Sequence, residues 1–201
     1  MSTRAKNKAI NGSREDQDLA FHKHLRKFAT ITEEELDESR KYFTKVNVKK
    51  NDSLISPDQA VDHTWWVIKG LLISTLHDDE GKEHIIQFAI ENCWITDPDA
   101  FYNRQRSTLS VVALENSGLI RISFDDREAL CKQIPSFGEF FRKKANDSFV
   151  KQQKRLITYL TADTRRRYEL LGEEYPGIFP RISKKLLAAY LGVSRETLSR
   201  L

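Results

Sequence analysis

The 201-residue chain has little cysteine and no long apolar run, and each shortage excludes a class of protein. Its 2 cysteines, Cys93 and Cys131, cannot supply a disulfide framework or the thiolates of an iron–sulfur cluster. We expect both to be buried, small hydrophobic side chains without a chemical role. No run approaches the roughly 18–20 apolar residues of a spanning helix, and the basic residues 1–10 precede polar Asn11 instead of an apolar signal core. These absences predict a cytoplasmic protein without a membrane partner.

Residue patterns that carry catalysis are also scarce. The chain has 8 glycines, and it contains neither a Gly-rich phosphate loop nor a Ser-His-Asp arrangement. The histidines are dispersed, and His77 and His84, which flank a predicted hairpin, lack the acidic partners that a cupin-like metal enzyme would need. The sequence therefore predicts that the protein is not an enzyme and holds no metal.

The net charge of +4 hides a strong asymmetry. Residues 1–131 carry 18 basic and 22 acidic side chains, which gives −4, whereas residues 132–201 carry 15 basic and 7 acidic side chains, which gives +8. A basic end on an acidic body favours contact with a polyanion, and nucleic acid is the simplest candidate. A solvated basic surface is the alternative interpretation.

Hydrophobic periodicity predicts an α+β fold whose N-terminal half is an antiparallel β-roll. Residues 1–31 are polar and read as a flexible lead with a short amphipathic helix, and Thr32 with Glu35 forms a capping box that opens a helix toward Phe43. Residues 97–99 read as a loop, and residues 78–82 as a hairpin turn. The predicted strands are residues 46–48, 65–68, 71–76, 84–88, 109–114 and 118–122.

From Phe124 onward the pattern is helical. Ser136 is expected to cap a helix of about 25 residues with an apolar seam beside basic side chains. The seam consists of Phe137, Phe140, Phe141, Phe149, Leu156, Ile157 and Leu160. We favour self-association through this seam, and packing on its own domain is the alternative. The predicted division is a lead segment (1–31), the roll (32–131), a dimerisation helix (132–162) and a DNA-binding domain (163–201).

The last twenty residues, 182–201, carry the pattern of a helix-turn-helix. Ser183 and Ser194 stand at the two N-cap positions, small Ala188 permits close helix packing, and Gly192 occupies the tight turn. The shared core is predicted to be Leu187, Leu191, Val193 and Leu198.

The second helix of such a motif presents its N-terminal side chains to the major groove. Arg195 can donate two hydrogen bonds to guanine, Glu196 can accept one from cytosine, and Arg200 can reach a second base or a phosphate. A surface ion pair between Arg195 and Glu196 is the alternative. The other predicted DNA-binding residues, suited to phosphate contacts or capping, are Ser183, Lys184, Ser194, Thr197 and Ser199.

These residues, with the hairpin at 79–83 and the strand end Trp65–Gly70, make the chain resemble the Crp/Fnr family of bacterial transcription regulators from about Thr32 to Leu201. The resemblance implies a cyclic-nucleotide-binding β-roll, a long dimerisation helix and a C-terminal winged helix-turn-helix. It also implies a homodimer on two-fold symmetric double-stranded DNA, read by Arg195, Glu196 and Arg200, with RNA polymerase as a further partner. The chain reaches Leu201 before a wing, which is either absent or truncated.

The resemblance weakens at the family's phosphate-binding cassette. Its Gly-Glu pair falls on Thr96 and Asp97, and its Arg-Ser pair falls on Arg106 and Ser107 or, one residue later, on Ser107 and Thr108. Without the glycine a backbone approach to phosphate is hindered, although Asp97 can accept a ribose hydroxyl and Arg106 can meet an anion. We therefore expect standard binding of cAMP to be lost and leave the effector unknown.

Two further polar residues of the long helix, Gln152 and Gln153, lie near the family's ligand-contacting positions. They are expected either to contact an effector or to cross-link two helices. The competing function is a small-molecule sensor or protein-interaction module without DNA readout.

Overall fold

The computed structural model describes residues 14–200, which form an antiparallel β-roll between helical ends. The N-terminal helices are α1 (Arg14–Arg26) and α2 (Glu33–Ser39), and a 3₁₀ turn follows at Arg40–Tyr42. The roll contains β1 (Thr44–Val48), β2 (Ser53–Ile55), β3 (His63–Lys69), β4 (Leu72–His77), β5 (Glu83–Ala89), β6 (Trp94–Ile95), α3 (Pro98–Asn103), β7 (Ser110–Ala113) and β8 (Ser117–Ser123). The C-terminal part contains α4 (Phe124–Gln133), α5 (Pro135–Thr161), α6 (Thr164–Glu174), a 3₁₀ turn (Phe179–Arg181), α7 (Lys184–Leu191) and α8 (Arg195–Leu198).

The strands form two four-stranded sheets with the orders β1-β8-β3-β6 and β2-β7-β4-β5. All the pairings within them are antiparallel. The α+β class and the antiparallel roll predicted from the sequence are therefore confirmed. The sequence pattern missed the short strands β2 and β6, because a two- or three-residue strand does not establish a period.

The strands β3 and β4 are buried on both faces over most of their length, which explains their continuous apolar runs. In β3, Trp65 points into the space between the sheets, whereas its neighbour Trp66 points outward under the N-terminal helices and α5. In β4, Leu72 faces the interior and Ile73 faces the C-terminal helices. The two-residue period of a strand thus divides each apolar run between two cores.

The N-terminal lead contains the predicted short helix, but this helix is packed and not flexible. Helix α1 packs on the roll, with Phe21 5% exposed and Leu25 fully buried against Trp66 and the α5 phenylalanines. Residues 14–26 are therefore a packed helix and not a flexible segment, and the rest of the predicted lead before residue 14 lies outside the described residues. Tertiary burial of two side chains orders a segment whose composition alone is polar.

Two helix boundaries also differ. The capping box at Thr32 is confirmed by both of its hydrogen bonds, but α2 ends at Ser39 before a 3₁₀ turn leads to Phe43. The prediction that Ser136 caps the long helix is wrong, because the 27-residue α5 begins at Pro135 and its N-cap position is Ile134. Proline suits the first helical position because it has no N–H to satisfy.

The C-terminal helices cover the outer face of the second sheet. Leu71, Ile73, Ile85 and Phe88 of the roll form one buried cluster with Leu171, Tyr175, Ile178, Leu187, Ala188, Leu191 and Leu198 of the helical part. Helix α7 makes its principal contact outside its own unit with β5. The last two helices are therefore held against the roll by an apolar core and not joined to it by the chain alone.

Candidate functional site

The last two helices, α7 and α8, form a tight helix–turn–helix arrangement. Gly192 ends α7 with a φ of 69°, a left-handed conformation that favours glycine, and the backbone N–H of Val193 donates to the carbonyl of Ala188 at 3.0 Å. A Cβ at Gly192 would also come within 3.4 Å of the Tyr159 ring. The left-handed backbone turn is therefore the reason for glycine at this position, and the ring contact is an ordinary one.

Serine caps begin both helices, as predicted. The Ser183 hydroxyl accepts from the N–H of Leu186 at 3.2 Å, and the Ser194 hydroxyl accepts from the N–H of Thr197 at 3.2 Å. The predicted core is formed by Leu187, Leu191 and Leu198, which are buried, and Val193, which is half-buried. These contacts fix the angle between the two helices and hence the side of α8 that faces outward.

The predicted DNA-reading side chains lie on the outward side. Arg195, Glu196 and Arg200 are exposed, and helical spacing places Glu196 on the side of α8 opposite buried Leu198, with Arg195 at the edge of the buried side. The other exposed members of the predicted set are Ser183, Lys184, Ser194, Thr197 and Ser199. A hydrogen bond that the Ser194 hydroxyl donates to the carboxylate, with a smaller contribution from nearby Arg195, keeps the pKa of Glu196 below its usual range, so it is an anionic acceptor at neutral pH.

Arg181, which precedes α7, links the helices to the roll. Its guanidinium donates to both carboxylate oxygens of Glu91 at 2.9 and 3.1 Å and to those of Glu115 at 3.0 and 2.8 Å. These hydrogen bonds raise the pKa of Arg181, and together with the N–H of Gly70 they lower the pKa of Glu91 despite its partial burial. No local sequence pattern predicts this link, because the partners of Arg181 lie 66 and 90 residues away along the chain.

The residues predicted for the phosphate-binding cassette divide into an inward and an outward group. Asp97, 3% exposed, is the N-cap of α3, so the prediction of a loop at residues 97–99 is wrong. One oxygen of its carboxylate accepts from the N–H groups of Asp99 and Ala100, and the other accepts from the hydroxyl of buried Ser107 at 2.7 Å. The N-terminus of α3 could bind an anion, but the carboxylate of Asp97 already occupies this position.

The remaining predicted cassette residues do not converge on a common point. Thr96 donates its hydroxyl to the carbonyl of His63 at 3.0 Å, Thr108 is exposed, and the exposed Arg106 donates to the carbonyl of Asp58. The nearby Arg104 lies over the Phe124 ring and pairs with Asp125 at 2.7 Å. Both arginines are engaged by protein groups of the roll.

Helix α5 presents an apolar face to solvent over its C-terminal half. Phe149 is 69% exposed, Leu156 57%, Ile157 54% and Leu160 72%. Gln153 lies four residues from both Phe149 and Ile157 and so shares their side of the helix, and Gln152 is exposed next to it. Because an isolated face of this kind is unusual on a monomer, it indicates an interaction surface.

The described residues, 14–200, contain no group of three or more His, Cys, Asp or Glu side chains arranged to hold a metal ion. Within the same range, none of the helices has the length and apolar character to span a membrane. Cys93 and Cys131 are half-buried and not fully buried as expected, and this burial raises the pKa of both thiols, so both are protonated near neutral pH.

Comparisons with known proteins agree with this geometry. Residues 45–134 match the family model of the cyclic nucleotide-binding domain. The transcriptional regulatory protein btr of Bordetella pertussis is 28% identical to the chain over 180 residues, which are 84% of this chain and 72% of that protein.

Solved structures share the fold. The catabolite activator protein of Thermus thermophilus matches with a TM-score of 0.56 and 22% identity, over 88% of this chain and 84% of that chain. A structure from Eubacterium rectale, described as a transcriptional regulator of the Crp/Fnr family, matches with a TM-score of 0.64 and 15% identity, over 85% and 81%. These findings show that the chain contains a cyclic nucleotide-binding domain and shares the fold of the catabolite activator protein, and with the Bordetella regulator they support a regulator of the Crp/Fnr type.

Proposed function

We propose that the protein is a sequence-specific, DNA-binding transcription regulator that acts as a homodimer. The observation that carries the proposal is the capped α7–turn–α8 unit, which leaves Arg195, Glu196 and Arg200 exposed while Leu198 anchors α8 in the core. The positive charge of residues 132–201 supplies the long-range attraction to DNA. The regulators among its relatives support the same conclusion.

The exposed residues divide into base-reading and backbone-contacting groups. The Arg195 guanidinium can donate to guanine O6 and N7, and the ionised Glu196 can accept from the amino group of cytosine, so the half-site contains G·C pairs. Arg200, one turn further along, contacts a second base or a phosphate. The set Ser183, Lys184, Ser194, Thr197 and Ser199 contacts phosphates and fixes the helix in the groove.

Dimerisation is assigned to the exposed apolar face of α5. Phe149, Leu156 and Leu160 recur at spacings of seven and four residues, which is the spacing of a two-helix seam. Pairing this face with its copy removes apolar side chains from water and relates the two DNA-binding units by a two-fold axis. Gln153 on the same face then pairs across the dimer axis, and Gln152 borders it.

The roll of this proposed regulator does not use its cassette for cAMP. A cyclic phosphate at the start of α3 would face the buried Asp97 carboxylate, whose oxygens already accept three hydrogen bonds. Like charges at such short range repel, and Arg106 donates to the Asp58 carbonyl at the surface. Isothermal titration with cAMP is expected to show no saturable binding, and a micromolar dissociation constant would contradict this part of the proposal.

Selection from a random double-stranded DNA library tests DNA recognition. The wild type is expected to enrich a two-fold symmetric site with G·C pairs in each half, and Arg195→Ala is expected to lose about 10- to 100-fold discrimination at one G·C pair. Arg166→Ala is a matched control, because Arg166 is exposed on α6 and pairs with acidic residues of its own helix. Equal affinity of the wild type for selected and scrambled DNA would refute the proposal.

Analytical ultracentrifugation tests the dimer separately. The wild type is expected to sediment as a dimer, and Leu160→Glu is expected to shift it to the monomer by placing a charge in the seam. Lys143→Glu changes a charge on the same helix outside the apolar face and should leave the dimer intact. A monomeric wild type at concentrations of about 100 μM, well above the range of a stable dimer, would contradict the assignment.

A further inference from the structure

A deep cleft lies between the roll and the C-terminal helices, away from the phosphate-binding cassette. Its volume is about 460 Å³, and its walls come from β5, α5, α6 and the end of α7. His84 and Ile85 lie on the roll side, Thr158 on α5, and Tyr190 and Gly192 on the side of the turn. We call it the α5–α7 cleft. Its volume falls in the range of small-molecule sites, and its walls belong to both halves of the molecule.

The charges on the walls favour an anion. The wall residues Lys151, Lys154, Arg155 and Arg167 carry four positive charges, against two negative charges from Glu173 and Glu174. Glu173 is paired with Arg166 and Lys151 with Asp147, and neither partner is a wall residue, so three positive charges and one negative charge remain on the walls. The electrostatic balance inside the cleft is therefore positive.

Two of the four cations are not fully satisfied by the chain. Lys154 forms no ion pair with any residue in the described range. Arg167 donates from one terminal nitrogen to the carbonyl of Leu191 at 2.9 Å, but its Nε is buried and has no acceptor among the described residues. A buried donor without an acceptor is costly, and an anionic ligand would supply the missing acceptor.

Aromatic walls provide a surface for an apolar ligand body. The Arg155 guanidinium lies 4.4 Å from the centre of the Tyr190 ring, and the Arg167 guanidinium lies 5.4 Å from that of Tyr159. Arginines in this position present a charge beside an aromatic face, so a single ligand can contact both. The combination suits a flat organic anion better than an inorganic one.

The cleft remains open when α5 associates with a second copy. At about 100° per residue, Lys151, Arg155 and Thr158 lie on the side of α5 opposite to the exposed Phe149 and Leu160. Dimerisation through the apolar face and occupation of the cleft can therefore occur together.

We propose that the α5–α7 cleft is a binding site for a small aromatic organic anion, held by Lys154 and Arg167 with its ring against Tyr159 or Tyr190. A ligand in this position touches the β5 strand of the roll and the turn at Gly192 that precedes α8. It thereby links the roll to the helix that carries Arg195. Binding at the cleft does not depend on the proposed DNA recognition and can be measured without DNA.

The test uses 1-anilinonaphthalene-8-sulfonate, an aromatic sulfonate, as the probe with the full chain. Fluorescence titration is expected to show one saturable site per chain, and Lys154→Glu is expected to weaken it by at least about tenfold because a charge next to the sulfonate is reversed. Thr158→Trp, which fills the cleft, is expected to abolish the site. Circular dichroism of each variant reports whether the fold is retained, and Lys154→Glu decides the question if Thr158→Trp does not fold.

Matched variants separate this cleft from the other apolar surface. Lys143→Glu makes the same charge change on α5 but lies outside the cleft, and Leu160→Ser removes an exposed side chain of the association face. Both are expected to keep the wild-type probe affinity. Probe binding that survives Lys154→Glu unchanged, or that disappears in Leu160→Ser, would overturn the proposal. Neither result would bear on DNA binding, which is measured separately in the absence of the probe.

Discussion

The roll and the C-terminal helices use polar residues in opposite ways. In the roll, Asp97 and Ser107 are 3% exposed and bond to each other and to the backbone, so their hydrogen-bonding capacity stabilises the fold. In α8, Arg195 and Glu196 point to solvent while the serine cap behind them satisfies the helix terminus. Polar side chains whose hydrogen bonds are all made within the protein indicate a role in stabilising the fold. Polar side chains that a well-packed helix holds toward solvent indicate a role in binding.

The two regions also differ in how they are held. The roll has two apolar cores on either side of β3, whereas the last helices rest on one shared cluster and on the charged contact of Arg181 with Glu91 and Glu115. We therefore expect the free energy needed to separate the last helices from the roll to be smaller than the free energy of unfolding of the roll.

The largest expected effect lies in the roll. Phe101 of α3 is fully buried in the inter-sheet core, and Phe101→Ala should reduce the free energy of unfolding by about 3–5 kcal/mol through the cavity that it leaves. Its neighbour Tyr102 is 47% exposed, and Tyr102→Ala should cost about 1 kcal/mol or less. Urea denaturation measures both, and equal losses would show that α3 is not anchored by the roll core.

The next effect is a pH dependence that arises where helix α1 packs on the roll. Burial among aromatic rings, aided by nearby Lys144, lowers the pKa of His24 from 6.5 to about 4, and its Nε2 accepts from the indole N–H of Trp94. The unfolded chain binds a proton more readily, so stability is complete above pH 6.5 and falls between pH 6.5 and 4 by about 3 kcal/mol. Unfolding free energies measured across this range should show the loss.

A variant with an uncharged acceptor isolates this histidine. His24→Gln can keep the hydrogen bond from Trp94 but does not titrate, so its stability should change less between pH 6.5 and 4 than that of the wild type. An unchanged pH dependence in the variant would assign the loss to other groups.

A smaller effect is expected where the two regions meet. Arg181→Ala removes the hydrogen bonds to Glu91 and Glu115 and leaves two partly exposed carboxylates side by side, which should weaken docking of the helices by about 2 kcal/mol. Amide hydrogen exchange in α7 should accelerate while exchange in β3 stays constant. Equal acceleration in both would mean that the roll and the helices open as one unit.

The smallest effect concerns a phosphate contact of the C-terminal helices. Lys184→Gln removes one exposed charge at the start of α7, and the slope of DNA affinity against salt should fall by about one unit without a change in the preferred sequence. Fluorescence anisotropy at several salt concentrations measures the slope. A changed sequence preference would instead place Lys184 against a base.

Local patterns predicted most elements of the fold because their causes are local. The capping boxes and caps at Thr32, Ser183 and Ser194, and the glycine at position 192, appear in the structure where the sequence placed them. The prediction failed at Ser136, where proline one residue earlier begins the helix, and at Asp97, where the partner Ser107 lies ten residues away. Such a partner can be recognised only after the chain has folded.

The sequence by itself determined the antiparallel roll, the long helix and the polar side chains offered by the last helix, because two- and 3.6-residue periods and capping residues act over a few positions. Only the tertiary structure decided that Asp97 serves as a helix cap, that Arg181 clamps the last helices to the roll, and that a cationic cleft opens between them. These features depend on residues brought together from distant parts of the chain, and their hydrogen bonds and charges acquire their strength from burial that exists only in the folded state.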